Sequence, residues 1–374
     1  MGPGRGHNII YALELLNDCD SITTTFVTNK YSFGPDRFPN IKILDLYHQN
    51  KIILWYRRLK KLVFISKQNV IYIQGRIIQY DLFILTLFKR YEKIVFNLWG
   101  EYVIGKLEEK SREGKMYRQL FSKADLIQCN WFGTYNKLIG VDGNLKRKAT
   151  VEVWGLSDAY FVNKPIISKF MKDFISKIEQ HRFVLLNTRS IAEYNAIEEL
   201  LESILHLREL DKDIYEDVLL IFWAGNNVDV SKKIIIQEFI SLNKLEQHIW
   251  YVEHPFLPDS DIKQLIEHAN VVVNLVKHDQ LSTSIIEALC LGKDLICSDI
   301  EPYRILNDMY DLELNLIDID SLKVAHEIIG LAKERQETKQ KMEMINKRKQ
   351  VVESNFRKKN NSKKIIQMLK SVAN

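Results

Sequence analysis

The sequence predicts an α/β protein built from two doubly wound units with mostly parallel sheets. Short apolar runs alternate with longer amphipathic ones, as strands alternate with crossover helices. The alternation runs twice, with a break near the middle of the chain. With 374 residues, 46% of them apolar, the chain is long enough for two separate cores and too apolar to be disordered.

In the first half the expected strands are Ile22–Thr28, Ile41–Leu46, Val70–Gln74, Lys93–Leu98, Leu126–Asn130 and Thr150–Trp154. Helical patterns fall between them at Ile9–Leu16, Lys51–Phe64, Arg112–Ser122 and Thr134–Ile139. The glycine-rich stretch Gly2-Pro-Gly-Arg-Gly6 has no strand before it. Either the sequence begins late, which we favour, or this unit lacks its first strand. The stretch 157–180 holds Pro165 and little strand character, which places a linker there, at 163–180. The units are then 1–162 and 181–355. The second half restarts with Phe183–Thr188, Val218–Trp223, Ile249–Val252, Val271–Val276, Asp294–Ser298 and Leu314–Ile317. From about Ser321 the chain reads as charged helix to its end, with 356–374 set apart as a last helix.

Composition excludes several classes. No run approaches the roughly 18 apolar residues of a spanning helix, and Met1 to His7 has no signal-peptide pattern, so a cytoplasmic protein is expected. The four cysteines, Cys19, Cys129, Cys290 and Cys297, match no zinc or redox spacing and read as reduced, mostly buried thiols. The net charge of +5 gathers at Arg57-Arg58 with Lys60-Lys61, at Lys146-Arg147-Lys148 and from Lys347 to Lys364. Such clusters suit phosphate-bearing ligands or an anionic membrane, and they also suit ordinary solvated helix faces; no nucleic-acid partner is expected.

The best-marked functional segment follows the apolar strand at 271–276. Lys277-His-Asp-Gln-Leu281 is a polar loop, Ser282-Thr-Ser284 reads as a helix cap, and the helix stops at Gly292. Hydroxyls and free backbone N–H groups at a helix start, on the carboxyl side of a parallel sheet, form a ready site for a phosphate or diphosphate. Glu287 lies about one turn inside, where its carboxylate leans back toward the helix start and can accept from ribose hydroxyls. The plain alternative is that the serines only cap and Glu287 is solvated.

Asp279-x7-Glu287, followed by Ala288-Leu289 and Gly292, resembles the acidic signature of retaining GT-B glycosyltransferases of the family 4 type. Their usual form is Glu-x7-Glu with Glu-Ala-Met. Here Asp279 stands for the first Glu, Leu289 for Met, and Asp294 for a proline of the following strand. Leu186-Asn-Thr-Arg189 is similar to the family's first strand and arginine, and Trp223-Ala-Gly225 to its next strand and glycine turn. Tyr251-Val-Glu253-His254-Pro255 falls where similar enzymes hold the base. The family's usual lysine is replaced by Asn195, and Lys277 is the expected compensating charge. In the first half, Gly2 to His7 resembles an acceptor-side glycine loop, with Gly4 and His7 as candidates. Phe96-Asn-Leu-Trp99-Gly-Glu101 occupies a position where many relatives carry His-Gly, so Trp99 and Glu101 join the acceptor side. Lys123-Ala-Asp125 and Val153 to Phe161 resemble the closing landmarks of that domain.

The resemblance implies two Rossmann-like domains facing a central cleft, with C-terminal helices crossing back to the first domain. It implies a hexosyltransferase that takes a nucleoside diphosphate sugar, UDP- or GDP-linked, as donor. It would transfer with retention and without metal or other cofactor to a glycan or lipid-linked hydroxyl, in polysaccharide or lipopolysaccharide synthesis. Arg189, Lys277 and the helix start at Ser282, Thr283 and Ser284 would take the diphosphate. Asp279 would orient the sugar, Glu287 would hold the ribose, and Asn195, Gly225, Glu253, His254 and Glu301 would complete the donor site. A sugar-nucleotide binder without turnover and a nucleotide-sugar epimerase are the competing readings.

Other features stay open on the residues alone. Glu301-Pro302-Tyr303 is either a donor contact or a plain helix start with Pro302 in its first turn. The helix Ile52–Phe64 mixes aromatic and basic residues, as a core helix or as a peripheral contact with an anionic membrane at the inner face. Four Asp-x-Asp triplets begin at Asp18, Asp211, Asp259 and Asp318; Asp259, Asp261 and Asp320 read as helix caps rather than metal ligands.

Overall fold

A computed structural model describes residues 102–163, 168–181, 183–189, 191–224, 228–253, 257–334 and 339–373. In the first hundred it describes 15–17, 19, 23–28, 39–45, 56, 59–64, 67–74, 87–88 and 90–98. The described residues divide into two compact units: one runs to Val153 and resumes at Asn361, the other spans Trp154–Asn360.

The first unit holds strands β1 (Thr24–Thr28) and β2 (Ile41–Asp45), paired in parallel. Its larger sheet is four-stranded and parallel: β3 (Gln68–Gln74), β4 (Tyr91–Leu98), β5 (Leu126–Cys129) and β6 (Ala149–Val151) lie in chain order. Helices α1 (Tyr102–Glu108), α2 (Arg112–Lys123) and α3 (Phe132–Val141) connect β4 to β6. Helix α2 starts where the Ser111 hydroxyl accepts the Gly114 N–H, and it buries Tyr117 and Phe121 against Phe96 of the sheet.

The second unit opens with a 3₁₀ turn (Asp158–Phe161) and helix α4 (Lys169–Ile178). The segment expected as a linker at 163–180 is therefore partly helical. Ser168 caps α4, and Met171, Ile175 and Ile178, spaced along one face, are buried. The strands β7 (Phe183–Asn187), β8 (Val218–Ala224), β9 (Ile249–Glu253), β10 (Val271–Asn274), β11 (Asp294–Ser298) and β12 (Leu316–Ile317) form one parallel six-stranded sheet. Its order is β12-β11-β10-β7-β8-β9. Every residue of β7, β8 and β10 is buried, because helices cover both faces. The helices are α5 (Ile197–Leu210), α6 (Lys212–Asp217), α7 (Val230–Asn243), α8 (Asp259–His268), α9 (Thr283–Leu291), α10 (Glu301–Tyr310), α11 (Ser321–Lys333) and α12 (Lys339–Asn355). The last helix, α13 (Lys358–Ala373), belongs from Asn361 onward to the first unit.

The order fixes where a ligand can sit. Strand β7 lies between β8 and β10, so the chain leaves it in one direction toward β8 and β9 and later returns to its other side at β10. The crossovers from β7 and β10 thus go to opposite faces and open a crevice outside their carboxyl ends.

The expected aspartate caps divide. Asp320 accepts the Lys323 N–H as a cap, and Asp211, the first residue of another triplet, caps α6 by accepting the Ile214 N–H. Asp259 and Asp261 instead lie inside the first turn of α8, where buried Asp261 accepts the Ser168 N–H. All four thiols are free; Cys290 alone is only half-buried.

Gly155 shows how closely this unit packs. A Cβ there would meet the Phe356 carbonyl oxygen at 2.3 Å and the Lys358 nitrogen at 2.5 Å. Its neighbour Leu156 exchanges backbone hydrogen bonds with these same residues, at 2.6 and 2.8 Å. Gly155→Ala should therefore destabilise the protein by about 2 kcal/mol, measured by urea denaturation. An unchanged midpoint contradicts the packing described.

Candidate functional site

Strand β7 ends at Asn187, whose side-chain oxygen accepts the Arg189 N–H at 2.8 Å. That local turn sends the Arg189 side chain into the crevice, where 17% of it stays exposed. On the other side β10 ends at Asn274, fully buried, and the loop from Leu275 to Leu281 leads into α9.

These two strand ends meet in one polar cluster. Arg189 Nη1 donates to Ser282 Oγ at 3.0 Å, and Nη2 pairs with Asp279 Oδ2 at 3.1 Å. Asn274 Nδ2 donates to Ser282 Oγ at 2.7 Å and to Ser284 Oγ at 3.0 Å, and the two serine hydroxyls lie 2.7 Å apart. The buried Tyr303 hydroxyl donates to Asp279 Oδ2 at 2.8 Å and lies 3.3 Å from Asn274 Oδ1. Burial first, then the Asp279 charge, pushes the Tyr303 phenol far above its usual pKa, so it keeps its proton and donates a hydrogen bond.

Ser282 occupies the cap position of α9, but its side chain does not cap the helix. The expected serine cap is corrected here: Arg189 and Asn274 draw the hydroxyl inward, and α9 starts without a side-chain cap. The helix dipole, backbone N–H groups without a side-chain cap and a guanidinium then lie together, an arrangement whose chemistry suits an anion. Gly292 closes the helix in the left-handed region (φ 70°), as its position predicts.

The remaining candidates are dispersed. Lys277 does not join Arg189: its ammonium turns to Glu199 of α5 at 3.6 Å and is half exposed. Asn195 is buried and bridges Val276 through the backbone, tying the loop after β7 to the loop after β10. Thr283 and Glu301 are exposed at the starts of α9 and α10. Glu253 ends β9 and pairs with Lys233 at 2.5 Å. Gly4, His7, Trp99, Glu101, Gly225 and His254 lie outside the described residues.

Glu287 is half-buried and forms no ion pair with Arg189 among the described residues. Its Oε1 accepts the Tyr160 hydroxyl at 2.5 Å. Desolvation pushes its pKa up to about 7; the Tyr160 hydrogen bond opposes that shift and the Asp259 charge adds to it. Tyr160 sits in the 3₁₀ turn that Arg357 grips, through Asp158 at 2.9 Å and across the Phe161 ring at 4.9 Å.

The sequence did not single out Asn274 or Tyr160, and it left the segment Glu301-Pro302-Tyr303 open between a donor contact and a plain helix start. A polar residue ending the all-apolar run Val271-Val-Val was a usable signal for Asn274. Nothing local marked Tyr160, which is 127 residues from its partner.

No family model matches the chain, and no curated protein matches its sequence. Solved structures do. HepE of Anabaena in complex with UDP matches at a TM-score of 0.70 and 14% identity, over 98% of this chain and 96% of that one. A glycosyltransferase from Rickettsia africae matches at 0.72 and 12%, over 98% and 95%. Sucrose-phosphate synthase from Thermosynechococcus elongatus matches at 0.71 and 12%, over 98% and 94%. The chain has the GT-B fold, as the sequence resemblance implied.

Proposed function

We propose that this chain is a glycosyltransferase of the family 4 type, taking a nucleoside diphosphate sugar as donor. The observation that carries the reading is Arg189 beside Ser282 at the uncapped start of α9, in the crevice between β7 and β10. A planar cation and a helix start stabilise a departing diphosphate, the group on which negative charge grows as the bond to the sugar breaks. Asn274 and Ser284 hold Ser282 in place, and Glu287 takes the ribose. HepE was solved with UDP, so UDP-sugars are the first donors to test.

Transfer with retention, without metal, to a hydroxyl of a glycan or lipid-linked acceptor completes the proposal, with cell-surface polysaccharide synthesis as its setting. A cytoplasmic protein touching the inner face of the membrane suits such an acceptor. Tyr56 and Phe64 are 59% and 78% exposed beside exposed Lys60 and Lys61, a combination that favours an anionic surface. Among the described residues no helix is long and apolar enough to cross a membrane. Sedimentation with phosphatidylglycerol vesicles at low salt should carry the protein down. If it stays in the supernatant, the membrane contact fails.

Thermal-shift screening tests the central claim. At a hundredfold excess over its dissociation constant, a donor stabilises the protein by about 2.7 kcal/mol. At least one uridine, guanosine or thymidine diphosphate sugar should raise the melting temperature by several degrees. If none does, the donor reading is wrong. If one does but no acceptor extract releases nucleoside diphosphate, the chain binds donors without transferring them.

A further inference from the structure

We propose that Asp279 is a positioning residue for Arg189 and does not contact the donor sugar. This rests on the reading of Arg189 as the diphosphate ligand.

The hydrogen bonds of Asp279 point this way. Its Oδ2 takes Arg189 Nη2 at 3.1 Å and the Tyr303 hydroxyl at 2.8 Å, and its Oδ1 takes the Gln280 backbone N–H at 2.8 Å. A carboxylate has about four acceptor positions, so three are filled by the protein itself. The side chain is only 17% exposed, which leaves little of it to face a ligand. A sugar hydroxyl would have to displace a cation or a buried phenol to use it.

Arg189 is held from its other arm as well. Nη1 donates to Ser282 Oγ, and Asn274 and Ser284 fix that oxygen in turn. Two acceptors on opposite arms set the plane of the guanidinium before any ligand arrives. Its Nε, buried, has no hydrogen-bond partner among the described residues. Holding a long side chain in its bound rotamer removes its ordering cost from binding. Tyr303 extends the hold: fully buried in α10, it anchors Asp279 to the end of β10.

This also accounts for an aspartate where the resembling family carries glutamate. One more methylene would carry the carboxyl past the point where Arg189 Nη2 and the Tyr303 hydroxyl meet it.

Asp279→Glu is the decisive variant, because it keeps the charge and changes only the reach. Calorimetric titration of the full chain with UDP and with UDP-glucose compares a ligand lacking the sugar with one that has it. Both affinities should fall by the same factor, about fivefold. In an Arg189→Ala background the change should add less than a factor of two for either ligand, since the residue acts through Arg189. Arg189→Lys takes that place if the alanine variant does not fold. A change confined to UDP-glucose, in either direction, overturns the inference and leaves the donor reading standing. An undiminished loss in the Arg189 background overturns it too. A wild-type chain that binds neither ligand overturns the donor reading and this inference with it.

Discussion

Arg189→Ala is expected to weaken binding of UDP and UDP-sugars about 100-fold, the largest effect of any single substitution in the site. The loss is that of charge-assisted hydrogen bonds from a planar fork, at roughly 1.5–3 kcal/mol each. The variant also leaves Asp279, mostly buried, without its cation, so a lower melting temperature should accompany the lost affinity. Arg189→Lys should recover little, because a single ammonium cannot span Ser282 and Asp279 as the two guanidinium arms do. Titration calorimetry decides: if Arg189→Ala binds UDP within threefold of wild type, the anion site is not at the start of α9.

Glu287→Gln should act in opposite directions on stability and on binding. The Glu287 carboxyl ionises at about 7 in the folded chain, against an ordinary value of 4.5. Between those values the folded state holds the extra proton, so the contribution of this group is full below about pH 4.5 and is lost as pH rises through 7. Glutamine keeps an acceptor for the Tyr160 hydroxyl and never ionises. The variant should therefore be more stable than wild type at pH 8, by about 2 kcal/mol after allowance for solvent screening of a half-buried group. At pH 4 the gain should vanish. Melting curves at the two pH values test this; a gain that is equal at both, or larger at pH 4, contradicts the assigned shift.

Binding gives the other half of that prediction. If Glu287 holds the ribose as a carboxylate, wild-type affinity for UDP-glucose should rise through pH 7 and the glutamine variant should show a flat, weaker profile. UDP-glucose is the better probe, since a terminal phosphate such as that of UDP titrates near pH 6 on its own. Parallel profiles for the two proteins would remove Glu287 from the donor site.

Much of the second unit was legible in the sequence because its signals are local. The run Phe183-Val-Leu-Leu and the run Val271-Val-Val can only be buried strands, and the structure has them as β7 and β10. Ser282 and Gly292 bound a nine-residue helix where their spacing put it. Helix α4 was missed although Ser168, Met171, Ile175 and Ile178 carry its cap and its buried face, because Pro165 and the lack of strand character drew the reading toward a linker.

The site itself was half legible. The start of α9 was marked by its position after a strand, where a parallel sheet presents its ligands, whereas Arg189 and Asp279 were marked by the family resemblance. Lys277, expected to compensate for the lysine that Asn195 replaces, turns elsewhere, because Glu199 on α5 offers it an acid and no sequence rule reports that distance. Glu287 was singled out as a carboxylate about one turn inside a helix, but its raised pKa comes from burial, which the hydrogen bond from Tyr160, 127 residues away, only partly offsets.

The sequence by itself determined the alternation of strands and helices and the chemistry available at each strand end, because both follow from short-range periodicity and residue type. Which strand ends meet follows from the strand order of the folded sheet. The order β10-β7-β8 brings Arg189 within 3.1 Å of Asp279, 90 positions along the chain, and joins the two side chains in one ion pair. Register within a strand is a local property, whereas strand order is set by how crossover helices pack on a twisted sheet, and that depends on the whole core at once.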